Sequence, residues 1–160
     1  MLFLSTTGHQ TCIGIANILA TAKLTEAFGL TWDVADDLTG KKLGRASSAT
    51  YRTADVVGLD TLGHVIKTLQ DQLSLETDPF YGNYATPPAL AALLEKGYLG
   101  AKTGSGFYKK QGKDILNFDP KTGDYVAGGK KADDIVVRML KKPAAERLQL
   151  LREASNPQAQ

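Results

Sequence analysis

The sequence predicts a mainly α-helical domain with a small antiparallel β insert. Three observations point to it. Apolar residues recur at helical spacing up to about Gly97 and again after Gly129, the spacing drops to two between Gly106 and about residue 127, and glycine or proline marks each change. At 160 residues the chain has the size of one domain, able to bury roughly 70% of its extended surface without staples.

The first eleven residues show no sustained period and carry Ser5, Thr6, Thr7 and Gly8, so they read as an irregular lead-in. Ile13, Ala16, Leu19 and Ala20 then suit a helix ending near Gly29. Thr31 is placed to cap a second helix, with Asp33 in its first turn, running through Val34 and Leu38 towards Gly40. The segment KKLGRASSATYRTADVVG reads as a connector with one helical turn near Thr53 to Val57. From Asp60, the residues Leu62, Val65, Ile66, Leu69 and Leu73 trace the clearest amphipathic helix. Residues 74–86 are loop-forming, and Pro87 and Pro88 open a further helix that Gly97 stops. GFYKK, DILNFD and DYVA read as three strands of a meander over about residues 106–127. Helical spacing returns at Ile135, Val136, Met139 and Leu140, and Pro143 opens a last helix carrying Leu148 and Leu151. The division is a lead-in over 1–11, a helical domain over 12–153 and a polar tail or linker over 154–160.

Composition excludes several classes. Apolar residues make up 42% and charged residues 22%, which argues against wholesale disorder. Nineteen Lys and Arg against seventeen Asp and Glu leave +2 with the signs mixed, which predicts neither a nucleic-acid nor a membrane partner. The longest nearly apolar stretch, Ile13 to Ala22, is half a bilayer span, and Met1 to Leu4 is too short for a secretory signal. Cys12 is the sole cysteine, so an internal disulfide is excluded. A cytoplasmic domain is the expectation.

The chemistry-bearing motifs are few. GYLGAKTGSGFY holds four glycines, Lys102 and Thr103, but not in the order of a phosphate loop, and it leaves a helix to enter a strand. It reads as a structural turn. No G-x-G-x-x-G occurs, so no Rossmann-type dinucleotide site is expected in this chain. His64 lies four residues after Asp60, a spacing that helix surface chemistry explains as well as a base and its orienting carboxylate do. His9 sits in the lead-in, and Cys12 reads as a small apolar filler. Asp36–Asp37 and Asp133–Asp134 are adjacent on helices and read as solvated surface, and no metal-ligand spacing appears.

Two segments carry a family resemblance. TADVVGLDTLGHV (Thr53 to Val65) and KGYLGAKTGSGFYKK (Lys96 to Lys110) resemble the C-terminal domain of 3-hydroxyacyl-CoA dehydrogenases. GLTWDVADDLTGKKLGRASSATYRTAD resembles the second helix and connector of that domain. AAERLQLLREASNPQA resembles the link to a second copy in long multifunctional fatty-acid oxidation proteins. The resemblance covers about Ile13 to Ala159. It implies a helical bundle of the 6-phosphogluconate-dehydrogenase C-terminal type. It also implies a part in the NAD-dependent β-oxidation of a 3-hydroxyacyl-CoA to the 3-oxoacyl-CoA. In that family a separate Rossmann domain binds NAD and supplies the catalytic His–Glu pair and a Ser, while the helical domain walls the acyl-CoA cleft and commonly carries dimer contacts.

The family's active-site Asn, in an Asn-Arg pair at the start of the first helix, matches Thr11-Cys12 here. A threonine hydroxyl lacks the reach and second donor of a carboxamide, so no catalytic residue is carried over. Asp55, Gly58, Leu59 and Asp60 match the segment near the acyl-CoA cleft and are the substrate-binding candidates; for Asp60, helix N-capping is the structural alternative. Thr103, Gly104, Gly106, Phe107 and Tyr108 are expected to serve the turn and the strand that follows.

The expectation is therefore an oxidoreductase domain that holds no cofactor itself, works with an NAD-binding Rossmann domain, and turns over no substrate as an isolated chain. The alternatives are a module that associates with itself or with a second copy of the domain, and a free-standing acyl-CoA binder.

Overall fold

A computed structural model describes residues 6–78 and 81–159, with seven α-helices and one three-stranded sheet among them. Helix α1 (Thr6–Ala27) ends where Leu30 N–H bonds the Thr25 carbonyl and Gly29 N–H bonds that of Glu26. This paired closure satisfies the last free carbonyls of the helix. α1 begins earlier than expected. Thr6 to Thr11 are helical rather than an irregular lead-in, because once a helix has nucleated each added residue gains a hydrogen bond even where its own propensity is poor. Met1 to Ser5, the rest of that lead-in, lie outside the described residues. Thr11 and Cys12 lie in the second turn of α1, and their side chains are outside the description.

Helix α2 (Trp32–Thr39) follows directly. Thr31 stands at its N-cap, but its hydroxyl donates to the Asp33 carboxylate at 2.5 Å instead of accepting from the helix backbone. A 3-10 turn over Lys41–Leu43 leads to α3 (Tyr51–Val57), and Gly58 alone joins α3 to α4 (Leu59–Gln72). Leu59, Leu62, Ile66 and Leu69 are buried along the inner face of α4, while Val65 is half-buried and His64 exposed. α5 (Pro88–Glu95) has proline at its first position, as its sequence predicts.

A further 3-10 turn, Ala101–Thr103, precedes the meander of β1 (Tyr108–Gln111), β2 (Asp114–Asp119) and β3 (Asp124–Ala127) in that spatial order. Tyr108 pairs with Asn117 and Phe118 with Tyr125. The sheet is fastened to the helices through Phe118, which is buried and whose carbonyl accepts the indole N–H of Trp32 at 2.5 Å. Phe107 packs edge to face on Trp32 and Tyr51, which are tilted against each other, with centroids 4.9 to 5.2 Å apart, an aromatic centre shared by α2, α3 and the residue that precedes β1.

Helices α6 (Asp134–Leu140) and α7 (Ala144–Glu153) close the chain. Val136 and Leu140 face inward, but Ile135 is exposed and α7 buries no residue. Behind α7, Asn156 and Gln158 return to bond Asp133. No helix among the described residues is long and apolar enough to cross a membrane.

Candidate functional site

The segments Asp55–Asp60 and Leu99–Tyr108, far apart in sequence, fold against each other. Asp55 sits in the last turn of α3 with its carboxylate buried. Its Oδ1 accepts the Phe107 N–H at 2.9 Å and its Oδ2 accepts the Tyr108 N–H at 3.0 Å. These N–H groups belong to the start of the meander, where the chain comes off a turn and no ladder partner takes them. Burial pushes the Asp55 carboxyl up to about 6, with the nearby Asp36 charge acting in the same direction and the two N–H donors opposing.

This fit dictates the glycines. A β-carbon on Gly106 would lie 2.2 Å from Asp55 Oδ1, and one on Gly100 would lie 2.3 Å from the Asp55 carbonyl oxygen. Between those glycines, Gly100 and Ser105 exchange both backbone hydrogen bonds, and the Thr103 hydroxyl accepts from Leu99 N–H while donating inside the loop. Phe107 then enters the aromatic centre, and the Tyr108 hydroxyl donates to Asp36 Oδ2 at 2.8 Å. The sequence Thr103-Gly104-Ser105-Gly106-Phe107-Tyr108 is thus used for turn and strand, as expected.

Gly58 holds φ at +100°, where a side chain is strained, and this lets α3 turn into α4 without an intervening residue. Leu59 donates its N–H to the Leu99 carbonyl and buries its side chain completely. Asp60 faces outward in the first turn of α4 and meets the Lys102 ammonium at 2.5 Å. That ammonium, helped by first-turn backbone N–H groups, holds the Asp60 carboxyl below the usual aspartate range. The carboxylate is therefore engaged by Lys102, the next motif's lysine. Beside it, Val56 and Val57 are 73% and 53% exposed at the end of α3. Of the four candidates, Asp55, Gly58 and Leu59 are buried, and Asp60 reaches solvent.

The Asp36–Asp37 pair is not a solvated surface. Asp36 is buried, and its two oxygens accept the N–H groups of Thr50, Tyr51 and Arg52 as well as the Tyr108 hydroxyl, so it caps α3 from a different helix. Burial raises its carboxyl despite those donors. Asp37 accepts Ala132 N–H and pairs with Lys42. Asp33 is also buried and accepts the N–H groups of Val34 and Lys130. Neighbouring helix positions point in different directions, so each carboxylate finds a separate stretch of chain whose N–H groups need an acceptor. Amphipathic counting cannot reveal this. The one available signal was an acid-rich helix followed by two irregular segments rich in unpaired donors. Asp133–Asp134 is exposed as expected.

A dinucleotide fold needs parallel strands with crossover helices, whereas the three strands among the described residues form an antiparallel meander. No group of three or more metal-ligating side chains occurs among the described residues.

Comparison with known proteins places residues 11–110 on the family model of the 3-hydroxyacyl-CoA dehydrogenase C-terminal domain. The chain is 40% identical over 113 residues to a probable 3-hydroxyacyl-CoA dehydrogenase of Bacillus subtilis, covering 71% of this chain and 14% of that protein. It is 41% identical over 98 residues to a protein of the same name from Deinococcus radiodurans, covering 61% of this chain and 27% of that one. A 3-hydroxybutyryl-CoA dehydrogenase of Mycobacterium tuberculosis is 45% identical over 58 residues, 36% of this chain and 18% of that protein. No solved structure gives a significant match. The chain thus spans well under a third of the length of the curated relatives it matches.

Proposed function

Because the chain belongs to the 3-hydroxyacyl-CoA dehydrogenase C-terminal domain family, we propose that it forms one wall of an acyl-CoA cleft in an NAD-dependent 3-hydroxyacyl-CoA dehydrogenase of fatty-acid β-oxidation. The match over residues 11–110 carries this reading, since it includes both interlocked motifs. NAD and the acid–base pair that moves the proton belong to a separate Rossmann domain of the working enzyme. The role of this chain is to bind and orient. Asp55, Gly58 and Leu59 hold the α3–α4 corner rigid from beneath, and Asp60 with Lys102 presents a charged pair next to the apolar Val56 and Val57. An apolar wall beside a fixed cation suits an acyl thioester with a phosphate-rich tail.

Calorimetric titration of the chain with acetoacetyl-CoA tests this. Saturable binding at tens of micromolar is the expected result, and no heat up to about 1 mM would remove the cleft role from this chain. The isolated chain should not oxidise NADH with acetoacetyl-CoA; a rate that scales with a mass-verified preparation overturns the division of labour.

A second reading rests on the exposed Val56–Val57 pair together with Ile13, 71% exposed on α1. Apolar side chains left uncovered on helix faces favour association with a second copy of the domain. Light scattering at about 100 µM should then show dimers, and Val56→Ser with Val57→Ser should shift them to monomers; a monomer from the unaltered chain at that concentration removes this reading.

A further inference from the structure

We propose that the face between α2, the N-terminal end of α3 and the β3–α6 connector binds an organic phosphate, its charged groups at one end and its carbon skeleton at the other. Two cavities of about 390 and 410 Å³ open there and share Asp33, Arg52 and Gly129, so they form one trough. Six cations line it: Lys41 and Lys42 from the 3-10 turn, Arg52 from α3, Lys113 from the β1–β2 turn, and Lys130 and Lys131 from the connector. The carboxylates facing it are Asp33, Asp36, Asp37 and Asp114.

The balance of these charges favours an anion. Asp33 and Asp36 spend their oxygens on backbone N–H groups and hydroxyls, and Asp37 is divided between Ala132 N–H and Lys42. Among the described residues, Lys42 is the sole member of the six in an ion pair. Lys131 acts on Asp37 from a greater distance, and the Arg52 guanidinium lies over the Tyr108 ring, 5.3 Å from its centre. Lys41, Lys113, Lys130 and Lys131 are exposed, their ammonium groups left to counter-ions. Four separate chain segments converge to build this cluster, although the chain as a whole is nearly neutral.

The trough is not uniform along its length. Lysines surround the end at Lys41, Lys130 and Lys131, whereas past Arg52 the carbon surface of Ile115, Leu116, Ala127 and Gly128 joins the lining beside Lys113, Asp114 and Asn117. A ligand with phosphates at one end and a nucleoside or similar skeleton at the other matches that gradient. The trough shares no lining residue with the Asp55–Asp60 segment, so this inference stands apart from the cleft reading.

Titration of the chain with adenosine 3′,5′-bisphosphate, pyrophosphate and adenosine tests it at low salt. The bisphosphate should saturate below about 1 mM, pyrophosphate should bind more weakly and adenosine not detectably. Lys130→Gln with Lys131→Gln, and separately Arg52→Gln, should weaken the bisphosphate about tenfold or more. These side chains are exposed, and the bonds that Lys130 and Arg52 make to Asp33 and Asp36 come from their backbone N–H groups, so folding is preserved. Lys121→Gln, outside the trough, should change nothing. No saturation up to about 5 mM, unchanged binding in the trough variants, or adenosine binding as tightly as the bisphosphate would overturn the proposal. Coenzyme A and ADP separate the two sources of this chemistry. Preference for coenzyme A, lost in the trough variants, identifies the phosphorylated end of a thioester, and equal affinity for ADP identifies a free nucleotide.

Discussion

Asp55 Oδ1 and Gly106 are in contact so close that a β-carbon on Gly106 would stand 2.2 Å from that oxygen, and this one approach binds the two family motifs to each other. The carboxylate reaches past Gly106 to take the N–H groups of Phe107 and Tyr108, and it does so only because nothing projects from residue 106.

Gly106→Ala should therefore destabilise the fold by about 3 kcal/mol or more, through overpacking and the loss of two hydrogen bonds to a buried carboxylate. Gly104→Ala is the matched control. Its φ is +70° but no atom lies within 4 Å of an added β-carbon, so it should cost only about 1 kcal/mol. Urea unfolding followed by the fluorescence of Trp32, the single tryptophan, measures both. Equal losses for the two variants would show that the contact with Asp55 is not what requires glycine.

The same carboxylate sets a pH dependence. Its folded value of about 6 exceeds the ordinary 3.8, so between those values the folded protein holds a proton that the unfolded chain has released. That contribution to stability is present in full below pH 3.8 and is lost as pH rises through 6, on the order of 2 kcal/mol. Asp36, also raised by burial, acts in the same direction. In Asp33 and Asp37 burial is outweighed by hydrogen bonds, with the Lys42 ion pair adding to the effect at Asp37; Asp60 is held down by Lys102. These three contribute stability above 3.8 that is lost as pH falls below it. The urea midpoint should accordingly be higher at pH 5 than at pH 7 and drop below pH 3.5. A midpoint climbing steadily from pH 4.5 to 7 would contradict the assignment.

Asp36 joins three elements with one side chain, since it caps α3 and receives the Tyr108 hydroxyl from β1. Asp36→Ala should cost about 3 kcal/mol, because the buried N–H groups of Thr50 and Tyr51 and the part-buried one of Arg52 lose their acceptor together. Tyr108→Phe removes a single bond and should cost about 1 kcal/mol. In the double variant the Tyr108 change should add little to the Asp36 loss, as the shared bond is already gone. Strict additivity would mean that the hydroxyl contributes nothing through Asp36.

Periodicity revealed most of the architecture because the helices bury regular faces: Leu59, Leu62, Ile66 and Leu69 recur as a core stripe should, and alternation in DILNFD marked β2. What it could not reveal was where the carboxylates of α2 turn. Asp33, Asp36 and Asp37 serve backbone donors at Lys130, Thr50 to Arg52 and Ala132, partners set by tertiary closure. For the candidate site, the two motifs were visible as motifs, but the contact between Asp55 and Gly106 that explains their co-occurrence needed the fold. Thr6 to Thr11 failed for a simpler reason, poor local propensity overridden by helix propagation.

Asp60 and Lys102 come from the two motifs and meet at the surface, which makes them the pair through which structure and binding can be told apart. Both side chains are substantially exposed, so the ion pair is screened by water and salt and adds little to folding. Asp60→Asn and Lys102→Gln should leave the urea midpoint nearly unchanged. In the cleft reading, Lys102 faces the anionic tail of the thioester and Asp60 fixes where it points. Lys102→Gln should then weaken acetoacetyl-CoA severalfold, and the loss should shrink as salt is raised. Asp60→Asn should weaken it too, because a freed lysine gains rotamers that binding must remove. Tighter binding in Asp60→Asn would show that the carboxylate merely competes with the ligand for Lys102. The segment would then be a structural corner rather than part of the substrate wall.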